Sequence, residues 1–355
     1  MNIRKFAILG IAATLSVTTA FAAHADSFNV TVVAGHPPVF RWVKMMSESY
    51  IPAVKTALEG TGHDMTFTEQ YGGSIAGVGE ELETVQAGLA EIGICLSLFD
   101  PAKLAPQNVT YYTPFASDDI RLVNKVMGDL QRNNPAMQQA WADNDLVYLG
   151  GNITIDDYLV FTNFPVTTLD DLKGHKIASA GPALNWLSGT GAIGVSGNLT
   201  TYYNEIKTGV YEGAMLLGSA GFPGKYHEVA PNILKVGFGP EFAGAICANK
   251  DWYEGLPDEV KTALTDAAST AESWYLDSID ADVKSGLEAM QKEGATLTVA
   301  TDDMRRQWAA GIDNAAKVWA SELDAQNKQG SAVLDAYMNA MRDAGAQPLR
   351  DWDKK

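Results

Sequence analysis

The chain is poor in the residues that usually mark an enzyme or a nucleic-acid partner. Only two of its 355 residues are cysteine and five are histidine. No CxxC, HExxH or GxSxG pattern occurs, and His24, His36, His63, His175 and His227 are too scattered for metal-ligand spacing. No catalytic residue, metal or cofactor is therefore expected. Basic residues are also outnumbered: 26 Lys and Arg against 43 Asp and Glu give a formal charge of −17. A surface of that sign repels nucleic acid and anionic lipid, and neither is an expected partner. Beyond the N-terminal leader no run reaches the ~18 apolar residues of a membrane span, so direct membrane insertion of the mature chain is not expected. Internal repeats and low-complexity linkers are missing as well.

What is present describes an exported globular protein. Arg4 and Lys5 precede an apolar run from Phe6 to Ala22, and Ala23-His24-Ala25 supplies a small-x-small cleavage pattern. Residues 1–25 are read as a signal peptide, which places the protein in the periplasm. Losing Arg4 and Lys5 takes the formal charge from −17 to −19. The composition, 46% hydrophobic and 9% aromatic, can fill a core, and the mature length suggests two lobes. A monomer is expected. Cys95 (EIGICLSLF) and Cys247 (GAICANKDW) both sit in apolar, strand-like runs. Two buried free thiols are the expectation, and pairing would require those strands to lie side by side.

Short β-rich runs alternate with helical patterns. Phe28–Ala34, Met65–Gln70 and Ile92–Leu98 read as strands, with a helix between Val39 and Leu58 and another from Val78 to Ala87. Leu146–Gly151 leads through Asn152 into Tyr158–Thr162, a crossing between lobes. Lys176–Ser179 is a strand of the second lobe, Phe242–Asn249 a return strand, and the chain after Pro257 is mostly helical. This βαβ order predicts an α/β fold with parallel sheets flanked by helices. Gly189–Gly194 spells GxGxxG, but it follows Leu187-Ser188 at a helix end, not the buried strand that a dinucleotide site requires.

Four segments carry a family resemblance: YGGSIAGVGEELETVQAGLAEIGI, YYTPFAS, the stretch FPVTTLDDLKGHKIAS with YYNEIKTGVYEG, and CANKDWYEGLPDEV. Together they resemble the solute-binding proteins of TRAP transporters, the DctP family, over nearly the whole mature chain. The resemblance implies a two-lobed periplasmic binding protein fold, each lobe a mostly parallel sheet flanked by helices, with a long helix in the C-terminal half packing across both lobes. Lobe I is expected over 26–150 plus about 242–280, lobe II over 151–241 plus about 281–330, and a helical tail over 331–355. It further implies ligand binding and transport: a receptor that closes on one small solute and delivers it to the membrane permease subunits of a TRAP transporter. A ligand sensor for a membrane kinase would look the same in sequence, and a periplasmic enzyme is the more distant alternative.

The ligand anchors implied by the resemblance are largely replaced. The family's carboxylate-clamping arginine falls on Ala178, a second arginine on Tyr158 and a polar residue on Leu216. The glutamate of an Arg-Glu pair is retained at Glu80, while its arginine partner is Gly79. A buried carboxylate needs a cation, and alanine offers none. A simple C4-dicarboxylate is therefore not the expected ligand. Carboxylates and aromatic rings remain near the expected cleft: Glu80, Asp156, Asp157, Tyr158 and Trp186, with Phe40 and Phe99, beside His36 and Asn152. They suit a small amine, a polyol or an aromatic compound. The alternative is an organic acid held by a substitute cation, Arg41 or Lys44.

Overall fold

The computed structural model describes residues 26–354; the leader expected over 1–25 lies outside them. Val30, Val32 and Val33 form a buried strand, β1 (Ser27–Ala34), followed by β2 (Asp64–Tyr71), β3 (Ile92–Cys95) and β4 (Leu146–Ile155). The chain then crosses into β5 (Tyr158–Thr162), β6 (Lys176–Ser179), β7 (Ile193–Ser196), β8 (Gly213–Leu217) and β9 (Asn232–Lys235). It returns in β10 (Glu241–Asn249) and adds β11 (Thr296–Val299). Two sheets result, with orders β2-β1-β3-β10-β4 and β11-β9-β5-β8-β6-β7. One strand in each runs against the rest: β10 is antiparallel to β3 and β4, and β5 to β8 and β9. These are the two crossing strands. Each enters its sheet from the cleft, so its direction is opposite to strands that begin at the far edge.

The chain between β1 and β2 is one helical run, Arg41–Met45 and Ile51–Leu58 joined by a wider turn over Met46–Tyr50. Pro52 explains the widening, because proline cannot donate into the helix and its ring crowds the carbonyl four residues back. The helix expected from Val78 starts only at Glu81, since Gly79 takes a left-handed conformation (φ 88°). The strand expected to reach Leu98 stops at Cys95 and bends into a turn at Ser97–Phe99, and this bend brings Leu98 and Phe99 to the cleft.

A 35-residue helix, Asp258–Lys292, spans both lobes; at 1.5 Å per residue it is about 52 Å long. Its stripe of Ala263, Ala267, Ala268 and Ala271 is buried where the helix packs on β4, and a Cβ added at Gly150 would already touch the Ala268 side chain at 3.7 Å. Its later turns meet the Gly218–Gly221 turn and β11 of the second lobe. Small residues on both sides let helix and sheet approach closely. Helix Gly330–Asp343 packs back on helix Ile120–Asn133 of the first lobe. Trp352, buried, then donates from Nε1 to the Pro114 carbonyl at 2.6 Å. Among the described residues no helix is long and apolar enough to cross a membrane.

The cysteines overturn the free-thiol expectation. Antiparallel pairing sets Ala245 opposite Cys95 and Cys247 opposite Gly93, leaving the two Cα atoms 5.9 Å apart and the sulfurs bonded. That distance is the usual one for a disulfide. The partners are 152 residues apart in sequence, and β3 and β10 become neighbours only after the chain has built the second lobe and returned.

Candidate functional site

β1, β3, β6 and β8 all end at the space between the two sheets, the place where α/β folds bind ligands. The residues at and just after those ends line an apolar cavity. His36, Trp42, Leu98 and Phe99 come from the first lobe; Tyr158, Ala180, Tyr202 and the β8 run Met215-Leu216-Leu217 come from the second. The space open to the centre of a water molecule is about 40 Å³, a few times the ~10–15 Å³ that one water needs. Among the described residues, no lysine, arginine, aspartate or glutamate lines the cavity.

His36 is the most unusual of these side chains. It is 3% exposed, and burial pushes its imidazole down to about 4, so the ring is neutral at physiological pH. Neither ring nitrogen has a hydrogen-bond partner among the described residues, and the same holds for Trp42 Nε1. The two rings meet edge to face at 5.5 Å, and Phe40 stacks on Trp42 at 4.9 Å. The other polar groups of the lining are engaged: Tyr158 Oη lies 3.3 Å from Tyr111 Oη, and Tyr202 Oη donates to the Gly197 carbonyl at 3.2 Å.

The loop carrying His36 is tied down by Glu81, a residue that the sequence reading missed. Its buried carboxylate accepts from the Gly35 amide at 2.9 Å and the Gly79 amide at 2.6 Å. Gly35 is required because a Cβ there would stand 2.5 Å from the Val78 nitrogen. The signal was helical phase, since Glu81 and Val85 are four residues apart on one buried face. Trp42, Leu199, Tyr202 and Met215 were also missed; only the closing of one lobe on the other brings them to one cavity.

The structure separates the remaining residues singled out in the sequence. His36, Tyr158, Leu216 and Phe99 line the cavity. Ala178 is buried in β6, two residues before Ala180, which lines it. Trp186 stands behind Tyr158: its ring is edge-on to Tyr158 at 5.2 Å, and Nε1 donates to the Tyr111 carbonyl at 2.7 Å. Asn152 is buried against the long helix: its side-chain Oδ1 accepts from Tyr148 Oη at 2.7 Å and its backbone N–H donates to Glu272 at 2.9 Å. Glu80 is exposed and accepts from the Gly77 amide at 2.8 Å. Arg41 is held by Asp282 of the long helix through two contacts of 2.5 and 2.7 Å, and Lys44 lies 3.8 Å from Glu48. Gly189–Gly194 leads into β7, not into a helix, so it is no dinucleotide loop. No group of three or more potential metal ligands occurs among the described residues.

Asp156 and Asp157 occupy the first crossing and work as fasteners. Asp156 accepts from the Ser219 amide at 3.0 Å and from its hydroxyl; Asp157 accepts from the Gly239 amide at 3.0 Å, which ties the first crossing to the second. Burial raises both carboxyls to about 6, from ~3.9 in an unfolded chain. The folded state therefore binds protons more tightly between pH ~4 and ~6. Their stabilisation is complete below about pH 4 and is lost as pH rises through about 6, at most ~3 kcal/mol for each group. His36 works in the opposite sense over much of that window. Asp157→Asn keeps an acceptor for Gly239 and removes the titration. On going from pH 5 to 7.5, chemical denaturation should show this variant losing about 1 kcal/mol less stability than the wild type, and an equal change in both would contradict the assignment.

A family profile described as bacterial extracellular solute-binding protein, family 7 (DctP), matches residues 53–323. The chain belongs to this family. Among curated relatives it is 25% identical over 222 residues to the C4-dicarboxylate-binding periplasmic protein DctP of Rhodobacter capsulatus, covering 61% of this chain and 65% of the relative. It is 26% identical over 187 residues to the ectoine-binding periplasmic protein TeaA of Halomonas elongata, covering 51% and 53%. These matches thus span less than two thirds of either relative. The fold is shared more completely. The periplasmic ectoine-binding protein of the Halomonas elongata TeaABC TRAP transporter superposes with a TM-score of 0.76 at 18% identity, over 89% of this chain and 100% of that one. A marine-metagenome TRAP solute-binding protein specific for pyroglutamate gives 0.75 at 21%, over 89% and 99%. The two-lobed fold expected from the sequence is the fold observed.

Proposed function

We propose that this DctP-family protein is an extracytoplasmic receptor that closes its two lobes on one small organic solute and delivers it to a TRAP-type membrane permease. Cleavage after Ala25 would release it into the periplasm. The solute is not a simple C4-dicarboxylate. One observation carries that reading: among the described residues no arginine or lysine lines the cleft cavity. A dicarboxylate there would leave buried charge unpaired, at a cost of roughly 2–5 kcal/mol. Arg41, the substitute cation considered from the sequence, is already bound to Asp282. The relatives named for ectoine and pyroglutamate support a family whose cleft accepts different small molecules. Binding would act by population shift, favouring the closed arrangement that the permease recognises.

Succinate, malate and fumarate at millimolar concentration should leave the melting temperature unchanged. A ligand present at ~1,000 times its Kd should stabilise by about 4 kcal/mol, a rise of several degrees. Uptake of that ligand into vesicles containing the partner permease should then depend on adding the receptor. Stabilisation by the dicarboxylates would refute the ligand assignment, and receptor-independent uptake would refute the transport role.

A further inference from the structure

Two residues of the cavity lining carry three buried polar atoms without a partner among the described residues: His36 Nδ1, His36 Nε2 and Trp42 Nε1. All belong to the first lobe, on two rings 5.5 Å apart. The wall from the second lobe is apolar, built around Met215, Leu216 and Leu217. Buried donors and acceptors are almost always satisfied, by protein, water or ligand. An unsatisfied pair beside an otherwise apolar cavity is the arrangement of a binding site whose ligand supplies the missing bonds.

We infer that the ligand of this receptor is an uncharged, largely apolar molecule with a single hydrogen-bonding pole, and that His36 and Trp42 hold that pole. The inference rests on the receptor reading above and narrows its ligand class. Charge is excluded from both sides. An anion would find no cation in the lining and an ammonium group no carboxylate, since Glu80, Asp156 and Asp157 all lie outside it. The neutral imidazole offers one donor and one acceptor, and the indole offers a second donor. A hydroxyl or a lactam, each of which both donates and accepts, meets that set. The apolar body then lies between Phe99 and the β8 wall, and the small cavity limits it to about one ring.

Matched probes test this directly on the mature protein by isothermal titration. Phenol, benzoate and benzylammonium share one ring and differ in charge; 2-pyrrolidinone and pyroglutamate form a second set. The uncharged member of each set should bind at least tenfold more tightly than its charged counterparts. His36→Gln and Trp42→Phe should each weaken that binding about tenfold, with far-UV circular dichroism verifying that both variants fold. Charged members binding as well or better would overturn the inference and leave the receptor reading intact. Binding of uncharged probes that neither variant weakens would also overturn it. Mass spectrometry of any small molecule retained through purification adds a second readout. A neutral species supports the inference, and a species charged at pH 7 refutes it. If no probe binds and no molecule is retained, the ligand class fails, and the receptor reading is decided by the uptake experiment above.

Discussion

Removing the Cys95–Cys247 bond lowers the stability of the folded chain by about 2–5 kcal/mol, the largest single-bond effect expected in this protein. The bond joins residues 152 positions apart, and the loop it closes contains the whole second sheet except β11. Chain entropy in the unfolded state is restricted more by a longer loop, and a closure of this length corresponds to about 5 kcal/mol on that account. Both cysteines are fully buried on adjacent strands, so the bond also sits where the returning strand must find its register. The Cys95→Ala/Cys247→Ala double variant should unfold at lower guanidinium concentration, with a melting temperature lower by roughly 3–7 °C. Dithiothreitol should move the wild type in the same direction and leave the variant unchanged. Equal midpoints for reduced and oxidised wild type would show that the bond contributes nothing to the fold.

Trp186→Ala should destabilise by about 3–5 kcal/mol, through the loss of a large buried side chain. The ring is 1% exposed, lies 5.1 Å from Phe238 and 6.0 Å from Tyr111, and donates to the Tyr111 carbonyl. Trp308 donates in turn to the Trp186 carbonyl at 2.7 Å, so the aromatic cluster couples the turn after β6 to helix Asp302–Gly311. Trp186→Phe retains most of the packing and removes only the N–H, which leaves the Tyr111 carbonyl without its donor and should cost about 1–3 kcal/mol. The pair separates a packing role from ligand contact. If Trp186 supports Tyr158 from behind, the phenylalanine variant loses stability while ligand affinity changes by less than about threefold. A large loss of affinity with unchanged stability would place Trp186 at the ligand after all.

The fold was readable because its signals are local. A buried strand such as β1, a proline inside the first helix and the Thr168–Asp171 capping box before β6 each depend on residues a few positions apart. Family segments such as CANKDWYEGLPDEV also carry their meaning in consecutive residues. The candidate site was readable only in part. Tyr158 and Leu216, which the resemblance sets at its anchor positions, and His36, which follows the first strand, do line the cavity. Glu80 was singled out where Glu81 is the buried residue, since two adjacent glutamates differ only in helical phase and the start of that helix depends on the turn at Gly79.

Acidic charge, α/β order and family membership follow from residues read in order, because each is a property of composition or of neighbouring positions. The disulfide, the retreat of Trp186 behind Tyr158, the use of Asp156 and Asp157 as hinge fasteners, and the meeting of His36 with Trp42 in an uncharged cavity do not. They depend on which strand returns beside which, and on how two lobes joined by two crossings and one long helix close on each other. Contacts between residues more than a hundred positions apart leave no local pattern, and the packing of the two lobes alone decides which side chains share a cavity.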